Sequence, residues 1–109
     1  MMDLKPLQTA VDDWIKLHGV RYFNELTNMV LLTEEVGELA RIMARKYGEQ
    51  SAKKNESAAS LEEEITDVLF VLVCIANQTG VDLQKAFENN LRKKTERDSE
   101  RHKSNTKLL

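Results

Sequence analysis

Two short acidic patterns carry the chemistry that this sequence could do. Glu34-Glu35-Val36-Gly37-Glu38 is an EExxE, and Glu64-Ile65-Thr66-Asp67 is an ExxD. Residues three or four apart share a helix face, so Glu35 pairs with Glu38, Glu34 with Glu38, and Glu64 with Asp67. If the two segments pack together, four or five carboxylates converge. Like charges so placed must be protonated, solvated or bound to a cation. An all-oxygen donor set suits Mg²⁺ or Mn²⁺ rather than zinc or copper. Mg²⁺ held by a few carboxylates keeps waters and recruits substrate phosphates, so the pattern points toward phosphate chemistry. A plainer account covers the same glutamates: a solvated helical face, with Glu62 to Glu64 favouring a helix N-terminus.

Helices must position these acids, because helical periodicity dominates and no stretch alternates like a half-buried strand. The first helix is expected from about Pro6 to His18, with Pro6 in its first turn and Gly19 as its stop. Its apolar stripe is Leu7, Val11, Trp14, Ile15 and Leu17, and GVRYFN is the connection that follows. The second runs from about Asn24 to Tyr47 and ends at Gly48. Its expected buried stripe includes Leu26, Met29, Val30, Leu32, Val36, Leu39 and Met43. The polar run EQSAKKNESAA reads as an exposed, mobile loop.

Ser60 and Glu63 form a capping-box pattern for a third helix reaching about Thr79, with Gly80 as its stop. From Val68 to Ala76 that helix is apolar on every side, which places it at the centre of a bundle. Asp82 caps a fourth helix starting near Leu83, whose apolar positions stop at Leu91. Beyond them it is polar and basic, with a tail expected to fray. The expected fold is all-α: a four-helix-type bundle, one domain over residues 1–109. Gly37 costs its helix about 1 kcal/mol relative to alanine, and close approach of another helix or a ligand would justify it.

The composition agrees. Of 109 residues, 41% are hydrophobic and 31% charged, which suits a folded globular chain. A net charge of −2 argues against a nucleic-acid binder. The single cysteine, Cys74, lies among apolar neighbours and has no internal disulfide partner. MMDLKPLQ lacks the apolar run of a signal peptide, and Val68 to Ala76 is too short to span a bilayer. The expected compartment is the cytoplasm, with no membrane partner. Four helices round an apolar one leave a greasy face to cover, so at least a homodimer is expected.

EEVGELARI followed by EEEITDVLFVLVCIANQTGVDLQKAFENNLRKK resembles the MazG-like, all-α nucleoside triphosphate pyrophosphohydrolases. Both acidic motifs stand in order on separate helices, ahead of an apolar helix and a GVDLxxA turn. The likeness covers the chain from about Trp14 to Arg97. It implies Mg²⁺-dependent hydrolysis of a nucleoside triphosphate between the α and β phosphates, giving monophosphate and pyrophosphate. By the same resemblance the metal ligands are Glu35, Glu38, Glu64 and Asp67. Glu34 is then a further ligand, or the group that positions and deprotonates the attacking water. Asn90, Lys93, Lys94 and Arg97 on the last helix are the implied phosphate contacts, although Asn90 stands where relatives often have lysine and Lys94 where they often have asparagine. A solvated basic face is the alternative for those four. The resemblance also implies a dimer or tetramer with active sites near subunit interfaces.

Trp14, Tyr22 and Phe23 are candidates to stack on a nucleobase. Trp14 reads first as a core residue, because its spacing fits the apolar stripe, whereas Tyr22 and Phe23 lie in a connection and are freer to line a pocket. His18 suits a helix C-terminus, and His102 falls in the tail. The preferred reading is a house-cleaning nucleotide pyrophosphohydrolase acting on non-canonical nucleotides. Its rivals are the phosphoribosyl-ATP pyrophosphohydrolase of histidine biosynthesis and a non-catalytic helical oligomerisation module. A di-iron bundle ranks last, because neither histidine follows a glutamate at Glu-x-x-His spacing.

Overall fold

The computed structural model describes residues 3–51 and 60–109. Four α-helices are present and, among the described residues, no strand: α1 (Lys5–Trp14), α2 (Glu25–Tyr47), α3 (Leu61–Thr79) and α4 (Leu83–Lys103). The all-α expectation therefore holds. Most of the polar loop expected between α2 and α3 lies at residues 52–59, outside the described residues.

Side-chain caps set three of the helix starts. Asn24 accepts from the Thr27 N–H at 2.8 Å, Ser60 from Glu63 at 3.1 Å, and Asp82 from Lys85 at 3.2 Å. Each satisfies a backbone donor that a helix N-terminus leaves open. Gly80 ends α3 at φ 75°, a left-handed position that glycine adopts without the clash a side chain meets. After α4, Asn105 accepts from the Lys107 N–H at 3.0 Å and starts a short 3₁₀ turn, Thr106–Leu108.

The core is small. Val11, Ile15, Val73 and Cys74 are buried together, with Leu7, Tyr22, Phe70 and Leu83 packed round them. A polar clamp holds α1 against the turn between α3 and α4. Gln8 Nε2 donates to Asn77 Oδ1 and to the Val81 carbonyl, both at 2.9 Å, while its Oε1 accepts from the Leu83 N–H at 2.9 Å. Asn77 Nδ2 donates to the Gln8 carbonyl and to the Tyr22 hydroxyl, and that hydroxyl donates to Asp12 at 2.6 Å. With both amides bonded at each end, this half-buried network fixes how α1 docks.

Two expectations about packing need correction. α3 is not enclosed on every side, because Ile65, Leu69 and Leu72 stay exposed. On α2, Leu32 and Leu39 are half-buried, but Leu26, Met29, Val30, Val36 and Met43 face outward. The side that meets α3 instead carries Asn28, Leu31, Leu32, Glu35, Leu39 and Ile42. Both helices are apolar on two sides, and a single chain covers only one. The chain is also extended. α4 leaves α3 at 107°, and the radius of gyration is 17.7 Å against about 13 Å for a compact chain of this length. Gly37 does not mark a close approach within the chain, since a Cβ built there meets nothing within 4 Å.

The first helix ends unusually. Ile15–Gly19 forms a π-helical turn, and Val20 follows at φ 71°, ψ −59°. The Gly19 carbonyl accepts from the Arg21 N–H at 2.8 Å, which makes Val20 the centre of a γ-turn of the rare, strained kind. A β-branched residue is a poor occupant of that conformation. Its side chain is 87% exposed, so no packing holds it there. Val20→Gly is expected to stabilise the fold by about 1 kcal/mol in urea unfolding, relief of strain exceeding the added entropy of the unfolded chain.

On α4, Asp98 is buried beneath Arg97 and Arg101, with Arg97 Nη2 at 2.8 Å and Arg101 Nη2 at 3.2 Å. Hydrogen bonding from Arg97, helped by the charge of Arg101, holds the Asp98 carboxyl below its ordinary value of 3.8. A depressed acid stabilises the fold above its unfolded value, and that contribution is lost as pH falls through the lower folded value. Asp98→Asn is therefore expected to flatten the loss of thermal stability below about pH 4, read from melting curves across the acid range.

Candidate active site

Packing of α2 against α3 brings three acids together. One carboxylate oxygen each from Glu35, Glu64 and Asp67 lies within 4.8 Å of the others. Glu35 comes from the side of α2 that meets α3, and Glu64 and Asp67 stand one turn apart near the start of α3. Glu64 is buried, Glu35 half-buried and Asp67 exposed, so the cluster opens to solvent at one side. Burial and then the charge of Asp67 raise both Glu35 and Glu64 above the usual carboxylate range; Glu38 adds to each shift.

Glu64 Oε2 is buried without a hydrogen-bond partner. A buried acceptor left so needs an explanation, and a cation is one. The donors present are all carboxylate oxygens. Oxygens bound to Mg²⁺ at about 2.1 Å are at most about 4.2 Å apart, so the spacing of the trio is close to what the ion requires. The residues fit Mg²⁺ or Mn²⁺.

Glu38 stands outside the trio. Its half-exposed carboxylate lies 3.8 Å from Arg41 Nη1. Glu34 is exposed on α2 beside Glu35.

A cavity of about 350 Å³ adjoins the acids, with Glu35 and Asp67 in its wall. Trp14, Tyr22 and Phe23 all line it, which joins the aromatic candidates to the acidic ones. Trp14 is a cavity residue rather than a core one: it is 51% exposed and stands edge-on to Phe70, ring centroids 5.6 Å apart. The π-helical turn and the strained γ-turn form the rim that carries Tyr22 and Phe23 to this position. Burial, then the hydrogen bond to Asp12, push the Tyr22 hydroxyl up to about 12, so it stays a neutral donor.

The basic candidates are elsewhere. Asn90, Lys93, Lys94 and Arg97 are exposed on α4, and none lines this cavity. The 107° turn carries them away from the acids of their own chain, and Arg97 is engaged by Asp98 through both Nε and Nη2. Sequence reasoning missed Asn28, Phe70 and Arg21 as lining residues. Asn28 did leave a signal: an amide on an apolar helix, on the same side as Leu31 and Glu35.

Residues 23–102 match the model of the MazG nucleotide pyrophosphohydrolase domain. The chain belongs to the MazG family. YpjD of Bacillus subtilis, a protein described as uncharacterised, is 45% identical over 98 residues, covering 90% of this chain and 88% of that one. The crystal structure of the Bacillus-conserved MazG protein, a nucleotide pyrophosphohydrolase, superposes with a TM-score of 0.71 at 40% identity, covering 85% of this chain and 90% of the other. The rat dCTP pyrophosphatase 1 is 40% identical over 82 residues, which make up 71% of this chain but only 44% of the rat protein. This MazG chain is accordingly a nucleotide pyrophosphohydrolase. Among the described residues no single helix is long and apolar enough to cross a membrane.

If the acidic cluster of this MazG domain holds a divalent ion, saturation at about 100 times its Kd stabilises the protein by about 2.7 kcal/mol. Mg²⁺ is expected to raise the melting temperature of the chelator-treated protein and to leave that of Asp67→Asn almost unchanged. Equal response of both proteins to Mg²⁺ counts against the cluster as the binding site.

Proposed function

We propose that this protein hydrolyses nucleoside triphosphates, deoxynucleotides among them, between the α and β phosphates in a Mg²⁺-dependent reaction, and that it removes non-canonical nucleotides. The observation that carries the reading is the juxtaposition of the carboxylate trio, with its buried unpartnered oxygen, and an aromatic-lined cavity whose wall includes Glu35 and Asp67. One end suits phosphates with their cation and the other suits a base.

In this reading Glu35, Glu64 and Asp67 hold the ion, and a rotation of the flexible Glu38 side chain adds a fourth carboxylate. When bound, the ion neutralises triphosphate charge and lowers the pKa of a coordinated water. Glu34 positions the attacking water and accepts its proton, as a carboxylate can when it lies outside the cation's direct hold. Trp14, Tyr22 and Phe23 sandwich or edge the base, excluding water from the cavity and fixing the nucleotide so that its phosphates meet the acids.

A homodimer or homotetramer completes the proposal. The uncovered apolar sides of α2 and α3 and the projecting α4 support association, and α4 is then free to bring Asn90, Lys93, Lys94 or Arg97 toward the phosphates bound by a second copy. The cytoplasm is the proposed setting, where the buried thiol of Cys74 stays reduced.

The test is incubation with Mg²⁺ and a panel of canonical and modified nucleoside triphosphates, with products resolved by ³¹P NMR. dCTP comes first, because the mammalian relatives are dCTP pyrophosphatases. Monophosphate plus pyrophosphate is the expected result, with kcat lowered about 100-fold or more in Glu64→Gln. Orthophosphate plus diphosphate overturns the cleavage site. Turnover of phosphoribosyl-ATP alone transfers the assignment to the histidine-pathway reaction.

A further inference from the structure

Asn28 is 96% buried, being only 4% exposed, and it lines the cavity two helical turns before Glu35 on the same side of α2. Its amide orientation is settled by a chain of bonds that begins at a backbone atom. The Phe23 carbonyl can only accept. Gln78 Nε2 donates to it at 2.8 Å, so Gln78 Oε1 must face the other way. That oxygen accepts from Asn28 Nδ2 at 2.7 Å, and the second Nδ2 hydrogen is directed at the Phe23 carbonyl at 3.4 Å. Both donors of the Asn28 amide are thereby engaged. Among the described residues, Asn28 Oδ1 accepts no hydrogen bond. The group left for a ligand in the cavity is an acceptor that cannot turn into a donor without breaking two bonds.

We propose that Asn28 Oδ1 selects nucleotides whose base carries an amino group at pyrimidine C4 or purine C6, cytosine or adenine, over the bases with an oxo group at that position. The proposal rests on the nucleotide-hydrolase reading above and names the substrate class of that site. An amino group donates to Oδ1. An oxo group places a second acceptor against it, and the contact then lacks the donor that a hydrogen bond needs. The position suits a base reader. Asn28 and Glu35 are about 10 Å apart along the helix axis, so base edge and phosphates can be engaged by one rigid element. A pocket that hydrogen-bonds a polar substituent discriminates far better than one that only encloses it. Gln78 is then a positioning residue: it touches Asn28 and the Phe23 carbonyl, and it is not part of the cavity wall.

The experiment measures calorimetric binding of dCMP and dUMP to the full chain in Mg²⁺, with kcat/KM for dCTP and dUTP measured in parallel. Wild type is expected to bind dCMP at least about 10-fold more tightly than dUMP. Asn28→Leu removes the acceptor, and the ratio falls toward one. Gln78→Leu frees the Asn28 amide to rotate, and the preference narrows or inverts even though no group facing the ligand has changed. The Gln78 variant carries the test if Asn28→Leu does not fold. Equal binding of the two monophosphates by wild type overturns the proposal, as does failure to bind either, or a preference that survives in both variants. Equal hydrolysis of dCTP and dUTP overturns it while the hydrolase reading stands. Selective dCMP binding without turnover of any triphosphate does the reverse.

Discussion

Three carboxylates held within 4.8 Å of one another, one of them buried, repel. Something must oppose that repulsion, and within the chain the candidate is the packing of α2 on α3. The cost is visible in Glu35 and Glu64, both raised by burial and by the neighbouring acids. Isolated helices would separate these charges. A cation would relieve the conflict, because the spacing that is unfavourable for bare carboxylates is close to the one a hard divalent ion bridges. The same helix pair that bears the repulsion supplies one wall of the cavity, and α1 with the connection after it supplies the other. The acidic cluster and one side of the cavity are thus consequences of one interface.

The remaining architecture keeps that interface in register with the cavity rim. Gln8 and Asn77 clamp α1 to the turn between α3 and α4, and Tyr22 closes the same network from the rim side. Gln78 and Asn28 bind the Phe23 carbonyl and tie the rim to both α2 and α3. Strain at Val20 lies between these two anchors. Backbone strain persists where surrounding bonds over-determine the conformation, and here they bracket the residue on both sides.

A single chain leaves much apolar surface unburied. The outward side of α2 and the Ile65–Leu69–Leu72 edge of α3 are exposed, while α4 projects from the rest. The buried apolar cluster is small: Val11 of α1 and Ile15 of the turn after it meet Val73 and Cys74 of α3. Small chains often lack the interior volume for independent stability, and association supplies it.

Helix positions were legible in the sequence because they follow from local rules. Periodicity marks a helix, Asn24, Ser60 and Asp82 each satisfy backbone donors a few residues away, and Gly80 takes a conformation that disfavours side chains. The pairing of Glu64 with Asp67 was legible too, since residues at turn spacing share a helix face, but that Glu35 joins them depended on how α2 packs on α3. Which side of α2 meets α3 was not legible, because that helix is apolar on two sides and hydrophobicity alone does not choose between them. The choice decided that Asn28 and Glu35 face α3 while Met29, Val36 and Met43 do not. Trp14 shows the same limit: its position on the α1 stripe is local, but whether the stripe's edge is core or cavity depends on how far Phe70 stands from it. The sequence by itself determined the helices, their caps and the acidic spacing, all of which arise from interactions within a turn or two. Tertiary structure alone decided the exposure of each apolar side, the aim of the Asn28 amide and the separation of α4's basic residues from their own acids, because those depend on contacts between residues far apart along the chain.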